Sequence, residues 1–295
     1  MSPNRPSRRQ IRRRRRGAAL LLAGLGVALA YLVLRATVLA PVDTHGASVH
    51  RFTIHSMAVG SNLDVGVVVP GGGDSDGRPL LVFLHGKGET VDSFVGDGWF
   101  SGDEPFFAAL AKLGPNAPVI AFPEDDGDSY WHDRATGGWG SYVIDEVIPE
   151  VERRYGTDPR RVAIGGISMG GFGAYSLALE NPGVFCAVGG HSPALWLEGG
   201  ASAPGAFDDA EDFEAHDVIA AMRADPGAFG PIPIWNDYGT KDPFAISDVA
   251  FDEALEAGGA DLSAHSWPGE HERSYWDRHW GAYLRFYAAA LRECG

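Results

Sequence analysis

The stretch Gly166-Ile167-Ser168-Met169-Gly170 sets one hydroxyl in a turn of small residues, directly after an apolar run and before a stretch of helical character. A serine hydroxyl is a weak nucleophile at neutral pH. Chemistry at Ser168 therefore needs a base to take its proton and a carboxylate to orient that base. Asp242, in Tyr238-Gly239-Thr240-Lys241-Asp242-Pro243, and His271, in Pro268-Gly269-Glu270-His271, follow it in the order serine, acid, histidine. Both stand in loops after strand-like runs, where active-site loops gather in parallel sheets. Acyl transfer also needs N–H donors fixed beforehand for the developing oxyanion. His85-Gly86-Lys87-Gly88 closes the first strand run, so the backbone amides of Lys87 and Met169 are the expected oxyanion donors.

Asp237, Asp248, His265 and His279 compete for the same roles. Asp237 falls inside a strand run. Asp248 falls on a helix, where a solvated carboxylate is the ordinary expectation, and His279 sits in the last helix beside Trp276 and Trp280, where a packed or surface histidine is. Tyr130 and Trp131 are assigned to substrate binding, with Trp139 and Trp196 as further aromatic surface that packing alone would also explain. His132, His191, His216, Asp212 and Glu214 are scattered along the chain without a metal-ligand spacing, so neither a metal nor a cofactor is expected.

The elements that must carry these residues alternate. The segments around 50–57 and 63–70 read as an antiparallel opening pair. Apolar runs follow at 80–84, 118–122, 161–167, 185–190 and 231–235, separated by helical stretches. That alternation describes an α/β fold, a mostly parallel central sheet with helices on both faces. Ile144, Val147, Ile148, Val151 and Tyr155 repeat at helical spacing, Gly156 can stop that helix, and Pro149 should bend it. Residues 197–230, rich in Gly, Ala and Asp, read as a cap-like insert over the strand ends.

Charge is divided unevenly. Nine of the 24 Lys and Arg residues and no acids lie in residues 1–40, which leaves 15 basic against 39 acidic residues in the remainder. A domain so acidic repels phosphate backbones, which excludes nucleic acid as a partner. Residues 1–16 form a basic segment expected on the cytoplasmic side. Residues 17–40 contain an uncharged apolar run long enough to cross a bilayer as one N-terminal transmembrane helix, a signal anchor. Residues 41–49 are a linker, and 50–295 the folded domain, placed outside the cytoplasm. Secretion after cleavage near Ala40 is the alternative, disfavoured by Pro41. Cys186 and Cys294 are too few for a disulfide scaffold; they could pair outside the cell, with a buried Cys186 the favoured expectation.

Several of these stretches together resemble one family. Asp128-Ser129-Tyr130-Trp131, the helix 142–155, Arg160 to Ile164, Ser168-Met169-Gly170-Gly171, Ser192-Pro193, Gly239, Asp242, His271 and Tyr275-Trp276 occur in the order found in the esterase D, feruloyl esterase and mycolyltransferase group of α/β-hydrolases. The resemblance spans about residues 79–285 and implies an α/β-hydrolase fold, no metal, and an acyl-enzyme on Ser168 with Asp242 and His271. It implies a small-molecule, lipid or polysaccharide ester as substrate, with hydrolysis favoured over transfer by the His85-Gly86-Lys87-Gly88 turn. An acyltransferase would use the same residues. A catalytically silent cell-envelope binding protein is the reading from another class, which the intact Ser168 and His271 oppose.

Overall fold

The computed structural model describes residues 22–31, 42–71, 74–95 and 104–294. Strands β1 (Ser48–His55) and β2 (Asn62–Val69) form the antiparallel pair expected at the start. β3 (Leu80–Leu84), helix α1 (Glu104–Ala111) and β4 (Val119–Pro123) follow, then a small hairpin of β5 (Asp133–Arg134) and β6 (Gly137–Gly138). Next come α2 (Ile148–Tyr155), β7 (Val162–Ile167), α3 (Met169–Glu180) and β8 (Val188–His191). Helices α4 (Ala210–Ala215) and α5 (Val218–Ala224) lie in the 197–230 insert. β9 (Ile234–Gly239), α6 (Ala245–Ala257), β10 (Leu262–Trp267) and α7 (Arg273–Glu293) complete the order.

The main sheet runs β1-β2-β4-β3-β7-β8-β9-β10. β4, β3, β7, β8, β9 and β10 are mutually parallel, and β2 joins β4 antiparallel. Alternate residues of a strand face opposite sides, and the core divides accordingly. Leu80, Val82 and Leu84 pack with Val147, Val151, Phe172 and Leu177 on one face, whereas Leu81 and Phe83 pack with Phe106, Trp280 and Tyr287 on the other. β3, β4 and β7 are buried at every position, as strands covered on both faces must be.

Two expectations change here. A π-helical segment at Tyr142–Val147 runs into α2, so the departure from regular helix precedes Pro149. Pro149 is the second residue of α2, so the irregular segment lies directly against the proline, whose missing N–H cannot continue the regular ladder. Gly156 ends α2 in the left-handed conformation, as expected. Cys186 is joined to Cys294 in a disulfide, not left as a thiol. The approach to β8 and the end of α7 converge there, with Cα atoms 6.0 Å apart, within the usual reach of the bond. Of the expected transmembrane segment, residues 22–31 are helical, while 1–21 and 32–41 lie outside the described residues. Among the described residues no helix is long and apolar enough to cross a membrane.

Candidate active site

Ser168 stands between the end of β7 and the start of α3 with φ 56° and ψ −115°. A serine held there is strained by about 1–3 kcal/mol, which the surrounding bonds must offset. Its amide donates to the His191 carbonyl (3.0 Å), and its carbonyl accepts from Gly171 (3.0 Å), Phe172 (3.1 Å) and Ala194 (2.9 Å). The turn is so tight that a Cβ on Gly166 would come 2.3 Å from the Gly170 carbonyl carbon, and one on Gly170 would come 2.1 Å from the Leu84 carbonyl oxygen. Side chains at either position would push strand and helix apart and withdraw the hydroxyl.

Asp242 and His271 meet Ser168 there. His271 Nε2 is 2.8 Å from Ser168 Oγ, and His271 Nδ1 is 2.9 Å from Asp242 Oδ2. The second carboxylate oxygen of Asp242 accepts the Phe244 amide (2.9 Å), which fixes the carboxylate plane. The Asp242 side chain is sealed from solvent, whereas His271 is 22% exposed and held edge-on between Phe244 and Trp276. With its Nδ1–H given to Asp242, His271 presents the Nε2 lone pair to the serine hydroxyl, the arrangement general-base chemistry requires.

The competing residues are elsewhere. Asp237 lies in β9 and accepts from His191, Trp235, Tyr275 and Tyr283 inside the core. His265 and His279 stack on either side of Trp267. Asp248, expected to be solvated, is fully buried at the first turn of α6, and neither carboxylate oxygen has a hydrogen-bond partner among the described residues. Burial, with the nearby Asp242 charge adding to it, raises its pKa well above the ordinary carboxylate range.

The expected oxyanion loop lies against the nucleophile: a Cβ on Gly86 would sit 3.5 Å from that of Ser168. As the first residue of α3, Met169 has an amide with no helical carbonyl to meet. The Lys87 side chain turns away, pairing with Asp128 (2.6 Å) and reaching the Pro204 carbonyl of the insert (3.4 Å). Trp131, assigned to substrate, is fully buried instead. Its ring lies against Gly173 of α3, and its indole N–H donates to the His85 carbonyl (3.2 Å), so it fixes the turn that carries Lys87. Tyr130 is 3% exposed and packs with Phe172, Trp196 and Phe207, a wall between the elbow helix and the insert. Tyr130 and Trp131 both have positive φ, 52° and 59°. Asp125 supports that backbone by accepting the amide and hydroxyl of Ser129 and the Gly127 amide.

Phe172, Phe207 and Arg134 were not singled out in the sequence. Phe172 lies one helical turn beyond Ser168, a position that a helix starting at Met169 makes readable. Arg134 fastens the insert through Asp208 (3.0 Å) and the Gly205 carbonyl (2.7 Å), contacts more than 70 residues apart in sequence that no local pattern announces. Contrary to their scattered positions, His132, Asp212 and His216 come together between the insert and the 128–135 loop.

Known proteins resemble this chain over much of its length. An esterase of Mycobacterium tuberculosis is 29% identical over 153 residues, 48% of this chain and 31% of that protein, so the chain corresponds to about a third of that relative's length. Mouse S-formylglutathione hydrolase is 32% identical over 212 residues, covering 65% of this chain and 74% of that enzyme. The solved structure of a ferulic acid esterase superposes with a TM-score of 0.70 at 20% identity, covering 83% of this chain and 98% of that one, which shows a shared α/β-hydrolase fold. Residues 56–286 match the family described as Putative esterase, and the chain belongs to that family.

Proposed function

We propose that the chain is a serine hydrolase of carboxylic esters. Ser168 Oγ attacks the ester carbonyl while His271 Nε2 takes its proton, and Asp242 stabilises the resulting imidazolium. The amides of Met169 and Lys87 hold the oxyanion. Collapse expels the alcohol, which takes the proton from His271 and leaves an acyl group on Ser168. Water, deprotonated by His271, then releases the acid and restores the hydroxyl. The observation that carries this reading is the Asp242–His271–Ser168 chain of contacts at 2.9 and 2.8 Å on a residue held at positive φ.

The S-formylglutathione hydrolase and ferulic acid esterase relatives support a small-molecule ester or thioester as substrate, with the Tyr130, Phe172, Trp196 and Phe207 wall facing the acyl group. We place the domain outside the cytoplasm, held by residues 17–40. The apolar run and the arginines before it support that placement, as does a disulfide of the kind that persists in oxidising compartments. The test uses the full chain in mild detergent with a fluorophosphonate probe and a short-chain p-nitrophenyl ester. Wild type should label and turn over, and Ser168→Ala should do neither. A folded wild type that never labels would overturn the proposal.

A further inference from the structure

His132, Asp212 and His216 have ligand atoms that all lie within 4.8 Å of one another, away from the Ser168 contacts. His132 comes from the loop before β5, whereas Asp212 and His216 come from α4 and its C-terminal cap in the insert. The polar contacts around the two rings are unbalanced. His132 Nδ1 is 3.5 Å from the Tyr130 carbonyl and its Nε2 3.1 Å from Asp212 Oδ2. His216 Nδ1 is 2.8 Å from the Asp212 carbonyl and 3.0 Å from Asp212 Oδ1, and its Nε2 is 3.6 Å from Glu180 Oε1. Every ring nitrogen thus faces an oxygen that only accepts, yet two neutral imidazoles carry one N–H each.

The His132 side chain is fully buried, so each of its ring nitrogens needs a partner inside the protein. If each Nδ1–H goes to its backbone carbonyl, both Nε2 lone pairs are left facing carboxylates. Ligand histidines characteristically donate the second ring N–H to a backbone carbonyl in this way. The 3.1 Å contact between His132 Nε2 and Asp212 Oδ2 also approaches the roughly 3.4 Å that separates ligand atoms around a tetrahedral ion with bonds of about 2.1 Å.

We propose that His132, His216 and Asp212 bind a divalent transition-metal ion, zinc being the best match to two imidazoles and one carboxylate. The fourth position is left to water or to Glu180, at the end of α3, whose Oε1 is 3.6 Å from His216 Nε2. The ion fastens the insert to the loop that supports Tyr130 and Trp131. His132 rests on Phe207 and Phe172, so the same ion sets the position of the aromatic wall. This is a structural site with no part in acyl transfer, and it stands whether or not Ser168 acts on esters.

The full chain in detergent, stripped with a chelator and dialysed, is titrated with Zn²⁺ against a chromophoric indicator, with metal content measured by mass spectrometry and melting followed in parallel. One ion per chain is expected, with a rise in melting temperature on binding. His216→Ala and Asp212→Asn should each weaken binding by about 100-fold, the upper end of the loss seen even for groups that only support a ligand. His216 is only partly buried, so its variant should fold, and circular dichroism checks this without reference to activity. Absence of stoichiometric zinc in the wild type, or unchanged affinity in folded His216→Ala, would overturn the assignment.

Discussion

Two histidine–carboxylate pairs of similar length lie toward one end of the sheet, the first on β8 and β9 and the second in the loops after β9 and β10, and their surroundings give them different work. His191 and Asp237 are 2.7 Å apart with both side chains sealed, and Trp235, Tyr275 and Tyr283 fill the rest of the carboxylate's capacity. His191 Nε2 accepts from the Tyr287 hydroxyl at 3.0 Å, so no lone pair is left for chemistry. His271 and Asp242 are 2.9 Å apart, yet the far nitrogen meets the hydroxyl of Ser168 beside solvent. The pair itself is not what makes a base. The group facing its second nitrogen, and access to that group, decide it.

Truncating one histidine of each pair should separate these roles most widely. His271→Ala is expected to lower kcat for a p-nitrophenyl ester by about 10⁶, as for other triad bases, with little change in melting temperature. Retention of more than a hundredth of the rate would remove His271 from the chemistry. His191→Ala should do the opposite, costing about 3–5 kcal/mol in urea unfolding because Asp237 stays buried with its charge less compensated. The rate per folded molecule should hold; a large fall in it would show that the inner pair reaches the site.

Cys294→Ser removes a constraint remote from both pairs. It should cost about 2–4 kcal/mol while leaving ester hydrolysis intact below the lowered melting point. The smallest effect concerns Asp252, whose pKa burial pushes up to about 6 despite bonds from Asn236 and Tyr238. A carboxyl raised above its unfolded value stabilises the fold fully below the unfolded value of about 4, and that contribution is lost as pH rises through 6. Asp252→Asn should therefore flatten the decline in stability between pH 5 and 8, by about 1–2 kcal/mol. An unchanged decline would assign it to other groups, Asp248 among them.

Much of this arrangement is legible before any coordinates. The strand runs at 80–84 and 161–167 match β3 and β7, because strands buried on both faces are continuous apolar runs. Ser168, Asp242 and His271 are readable because each sits just past a strand, where topology forces convergence. Asp248 was misplaced although the signal exists: Phe251 and Leu255 follow it at helical spacing on the face that packs inward. Trp131 was misplaced because a fold-supporting tryptophan and a substrate-binding one look alike in sequence. His132 and Asp212 are 80 residues apart, and only the seating of the insert on the 128–135 loop makes them neighbours. The disulfide spans 108 residues and is equally non-local.

The direction of β1 sets where the chain enters the fold. β1 is antiparallel to β2, and β2 to β4, so β1 runs with the parallel strands, and Ser48 pairs with Val69 near the level where β4 begins. The chain thus enters at the tail of the strands, and Cys294, bound to Cys186 ahead of β8, leaves from that same tail. Ser168 opens at the heads. The point where the chain enters the fold and the mouth where Ser168 opens therefore lie at opposite ends of the sheet, the length of the strands apart.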